Sequence, residues 1–113
     1  MSDKVEWPVV IQYQGQHELT YVESESVWRG DTDLHFFAYE SGDVVIDSRG
    51  AVYDISQSTH STHQWIATGD HLTKAQVTTL VQHHLSHAGQ CCVSKFSVNS
   101  IAEAIAVVGL ESD

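Results

Sequence analysis

The chain has 113 residues, with fifteen acids against five bases and a formal charge of −10 at pH 7. That length suits one domain with a modest core, and 42% hydrophobic residues with a single proline argue against wholesale disorder. The acidic balance lacks the basic footprint of a nucleic-acid binder and disfavours an anionic membrane surface, so neither is expected as a partner.

Val9-Val10-Ile11-Gln12-Tyr13 is β-branched and aromatic and reads as a strand, with Pro8 at its start, where a strand tolerates proline. Gln14 to His17 supplies a turn, and Leu19-Thr20-Tyr21-Val22 returns as the second strand of a hairpin. Ser24 can cap one or two helical turns that Gly30 stops. Leu34 to Tyr39 is aromatic and strand-like. Next, Val44-Val45-Ile46 and Val52-Tyr53-Asp54-Ile55 flank Asp47-Ser48-Arg49-Gly50, which fits a type I turn with Gly50 left-handed in a bulge. In that register Val44, Ile46, Val52 and Asp54 share one face, and Asp43, Val45, Asp47, Tyr53 and Ile55 the other. Both faces are partly apolar, so the hairpin is central and covered on each side, or one face meets a partner.

Ser56 to Gln64 is polar and reads as a loop, followed by a short strand at Trp65-Ile66-Ala67. Thr73 with Gln76 forms a capping box. Val77, Leu80, Val81, His84, Leu85 and Ala88 then keep helical spacing up to Gly89. Cys91 to Val98 reads as a strand, with Cys92, Phe96 and Val98 inward. Ser100 with Glu103 opens a final helix through Ile101, Ala104, Ile105 and Val108. The fold class is α+β: a single domain over 1–113 with ends fraying at 1–6 and 110–113. An antiparallel sheet of consecutive hairpins carries a C-terminal helix-strand-helix unit packed on it.

Met1 to Val10 lacks the sustained apolar core of a secretory signal, and the apolar run Ile101 to Leu110 is about half a membrane span. Cys91 and Cys92 are adjacent, where a disulfide is strained and rare, so two reduced thiols and a cytoplasmic location are expected.

Several of these residues together resemble a small bacterial family of short stand-alone proteins of unknown function. They are Trp7-Pro8, Glu18 to Tyr21, Val45 to Ser48 followed by Gly50 and Val52-Tyr53, Leu72-Thr73, Cys92 to Lys95, and Ser100 with Ala104-Ile105. The resemblance spans most of the chain and rests on turns and caps. It implies a small α+β protein, no known activity and no catalytic residue that could be carried over.

Eight histidines are the compositional anomaly. His83 and His87 stand four apart on the predicted helix, one turn from each other at the rim of its apolar face. That is the spacing of a two-histidine metal site, with Cys91 or Cys92 as a soft third ligand beyond the helix end. The competing reading is a pair of solvated rim residues with weak, adventitious zinc or nickel affinity, and no resident cofactor. His84 lies inside the apolar stripe and reads as a core histidine with one hydrogen-bonded nitrogen. His17-Glu18 starts like a zinc-protease motif, but Tyr21 stands where the second histidine must be.

Cys91 or Cys92 with His87 could form a thiolate-imidazolium couple. The simpler reading makes Cys92 a core residue and Cys91 a spectator. Asp43 and Asp47 could act as an acid/base pair or hold Mg²⁺. More simply, each flanks a turn and binds backbone amides. Trp28, Phe36, Phe37 and Tyr39 fit a core better than a ligand cage. No catalytic constellation prevails over its structural alternative, so the chain reads as leaning away from an enzyme. The expected function is a non-catalytic protein-interaction or regulatory domain whose partner is another protein or a second copy in a homodimer. The alternative is a metal-binding protein using His83, His87 and Cys91 or Cys92. A small thiol enzyme comes third.

Overall fold

In a computed structural model, residues 5–16, 18–30, 39–56, 65–87, 89 and 97–112 are described. They form strands β1 (Val9–Gln12) and β2 (Leu19–Val22), helix α1 (Glu25–Gly30), strands β3 (Val44–Ile46), β4 (Ala51–Asp54) and β5 (Ile66–His71), and helices α2 (Lys74–His87) and α3 (Ile101–Ser112). The strands make one antiparallel sheet in the order β2-β1-β3-β4-β5. This is the α+β single-sheet architecture expected from the sequence. The predicted strands at Leu34–Tyr39 and Cys91–Val98 fall mostly on residues outside the described set. Of their described residues, Tyr39, Ser97 and Val98 are not in strands.

The β3–β4 hairpin has the expected register, with Val45 opposite Tyr53 and Ile46 opposite Val52. The Asp47 carbonyl accepts from Gly50 N at 2.9 Å, Asp47 N donates to Ala51 O at 3.1 Å, and Gly50 has φ +87°. That is a type I turn closed by a glycine bulge. β3 is the middle strand of the sheet, and both of its faces are buried by this chain itself. The hairpin is thus central with each face at least partly covered, Val44, Val52 and Asp54 remaining half-buried.

One face of the sheet holds Val9, Ile11, Val45, Tyr53 and Ile55 against Trp28 and Tyr39. The other holds Val10, Leu19 and Ile46 against Val77, Val81 and Leu85 of α2 and Ala104, Ile105 and Val108 of α3. Alternation along β1 (Val9 and Ile11 to one side, Val10 to the other) is the strand period at work.

Both helices start at the β3–β4 turn. The backbone of Gly50 lies against the Leu72 carbonyl and the Ile101 side chain, and Leu72 N donates to Gly50 O at 2.8 Å. Both end at β2, where His84 meets Leu19 and Gly109 lies against the Tyr21 ring. The two helices therefore run side by side in the same direction.

The caps form as the sequence suggests. Gln76 N donates to Thr73 Oγ1 at 3.1 Å, and Thr73 N to Gln76 Oε1 at 2.8 Å. Glu103 N donates to Ser100 Oγ at 3.1 Å, while Glu103 Oε1 accepts from Asn99 N, one residue before the usual partner. At α1, Val27 N donates to Ser24 Oγ at 3.3 Å. Glu6 is tied to the β3–β4 turn through Asp47 and Ser48, and α3 stays helical to Ser112.

Candidate functional site

The side chains with chemical potential fall into three groups, and the fold uses two of them for itself. Asp43 and Asp47 bracket β3 and are buried. Asp43 Oδ1 accepts from Gln14 N and its Oδ2 from Glu40 N, both at 2.8 Å. Asp47 Oδ1 accepts from Arg49 N at 2.9 Å and Ala51 N at 3.0 Å, and its Oδ2 from Glu6 N at 3.1 Å. Arg49 adds Nε and a terminal nitrogen to Oδ2 at 3.3 and 3.2 Å, and also donates to Tyr53 Oη at 3.1 Å. The Asp47 charge and hydrogen bonds push the Arg49 pKa above its ordinary value. These carboxylates are occupied by backbone amides, the turn role that the sequence suggests for them. The sequence reading went as far as local turns. It missed that each carboxylate also reaches a distant segment, Gln14 from Asp43 and Glu6 from Asp47.

His84 is buried, and its Nδ1 accepts from Leu19 N at 3.0 Å. This ring is the predicted core histidine with a bonded nitrogen, and it fastens the last turn of α2 to the first residue of β2. His83 and His87 are exposed on α2, one turn apart; the buried face is centred on Val77, Val81, His84 and Leu85, so His83 stands nearly opposite it and not at the rim that the spacing suggests. Cys91 and Cys92 lie outside the described residues. Among the described residues no group of three or more His, Cys, Asp or Glu is placed to hold a metal ion.

The second group is aromatic. Trp65 meets Trp28 edge-on at 4.9 Å, Trp7 at 5.4 Å and Tyr53 at 6.0 Å, and Tyr39 stacks on Trp28 and on Tyr13. All three tryptophans thus share one cluster. Trp28 and Tyr39 are core, as expected; Phe36 and Phe37 lie outside the described residues. The Trp65 Nε1 atom is buried with no acceptor among the described residues. Burial pushes the Tyr13 phenol up, against a pull downward from its hydrogen bond with Thr20. Asp54 is held below the ordinary carboxylate range by the Ser56 backbone N–H at 2.8 Å and then by the Ser56 side chain.

The third group is a surface. α2 (Lys74–His87) contains one residue among Asp, Glu, Lys and Arg, which is Lys74, and α3 (Ile101–Ser112) contains two, Glu103 and Glu111. The chain has twenty such residues (fifteen acids and five bases), so the helical layer carries somewhat less than its share of charge. Its outward positions mix polar and small side chains, with Lys74, Gln76, His83 and His87 exposed on α2 and Glu103 on α3. Ala75, Thr79 and Ser86 are exposed on α2; Ala102 and Ala106 are half-buried on α3; and Leu110 is 75% exposed. Sequence periodicity found the inward stripe of each helix. The outward signal lies in α3, which is apolar nearly all round apart from Glu103 and Glu111. At the far end of the sheet, β5 is exposed at all six positions and carries Ile66 at 51% exposure. Its Gly69 at φ +87° and the register shift between Ala51 and Tyr53 twist it away from regular pairing. Among the described residues no helix is long and apolar enough to cross a membrane.

A family model described as a protein structure with unknown function, DUF4144, matches residues 7–108. A solved structure, described as an NMR structure of the protein from Shewanella amazonensis, is similar to this chain with a TM-score of 0.71 at 22% identity. The similarity covers 96% of this chain and 91% of that one, and at this identity it speaks to the fold alone. No curated protein matches the chain.

Proposed function

We propose that this chain, which belongs to the DUF4144 family of unknown function, works through protein contacts at the outer surface of its helical layer. One observation carries this reading: in a protein of charge −10, α2 and α3 together hold three charged residues (Lys74, Glu103 and Glu111), and α3, otherwise nearly apolar all round, presents Leu110 as a large exposed apolar side chain. Charge depletion around an apolar centre is the compositional mark of an interface core, and a helix that is apolar on its outer as well as its inner side calls for a cover. The carboxylates and the buried histidine that might have served catalysis support the same reading, because backbone amides already occupy them.

The test is a photo-reactive amino acid placed at position 110 in the native cell, with the same group at Ala67 of β5 as the control. A reproducible protein adduct specific to position 110 supports the reading. Adducts no stronger than those at Ala67 overturn it.

A further inference from the structure

We draw no further inference here: the strongest candidate, the edge strand β5, exposed at all six positions with Ile66 on its surface, carries nothing because no feature of the structure shows what covers it.

Discussion

At the scale of single residues, buried polar atoms with remote partners carry the most leverage. His84 accepts the Leu19 N–H through Nδ1, so the neutral ring carries its proton on Nε2. Nitrogen-15 NMR at neutral pH should show that tautomer, and an Nδ1–H signal would contradict the bond. His84→Phe keeps the volume but orphans a buried donor. We expect a loss of about 1–3 kcal/mol in urea unfolding. Asp47→Ala removes the acceptor for three backbone amides at once and should cost about 3 kcal/mol or more, the largest effect of any polar substitution discussed. Asp54 gives a pH signature. Its folded value lies below its unfolded one, so its contribution is present above the unfolded value and is lost as the pH falls through the folded one. An NMR titration of its carboxyl should therefore have a midpoint below that of an unstructured peptide, and Asp54→Asn should abolish this part of the acid dependence. The sequence disclosed that Asp43 and Asp47 are turn residues and that His84 is inside. It could not disclose that Gln14, Glu6 and Leu19 are their partners, because a hydrogen bond across 29, 41 or 65 residues leaves no local pattern.

At the scale of elements, the parts with strong local chemistry were legible and the parts shaped by neighbours were not. The two capping boxes and the Asp47–Gly50 turn follow from side chains that bond within four residues, so composition alone announces them. β5 was underestimated. Gly69-Asp70-His71 has poor strand propensity, and it is the pairing of His71 with Ala51 that extends the strand past Ala67. Thr73→Ala should cost α2 about 1 kcal/mol, read by thermal or urea melting. Gly50→Ala should cost more than that. A Cβ there would press on the Leu72 carbonyl and Ile101 while the backbone holds φ at +87°. The aromatic cluster illustrates a different limit. Trp7, Trp28 and Trp65 are far apart in the chain, and only the sheet face that carries Tyr53 brings them together.

For the whole molecule, the predicted α+β class and central hairpin needed only periodicity, whereas the interface reading needed the three-dimensional layer in which two weakly charged helices become one surface. Zinc or nickel should bind at His83 and His87 weakly, on the order of micromolar, since two imidazoles leave a tetrahedral ion half open. Calorimetry should show the binding lost in His83→Ala, with the far-UV spectrum unchanged by EDTA. A nanomolar, stoichiometric site sensitive to Cys91→Ser would instead make the metal-binding alternative the answer. The geometry of β2 has one more consequence. That strand precedes both helices, yet the contacts that seal its helix-side face come from His84, 65 residues beyond Leu19, and from Gly109 further on. A nascent chain emerging from the ribosome can therefore pair β1 with β2 but cannot bury this face of the pair until α2 and α3 have been made. The first hairpin waits with its apolar side bare. That is the interval in which such a protein is exposed to chaperones and to aggregation, and a truncation ahead of α3 should extend it indefinitely.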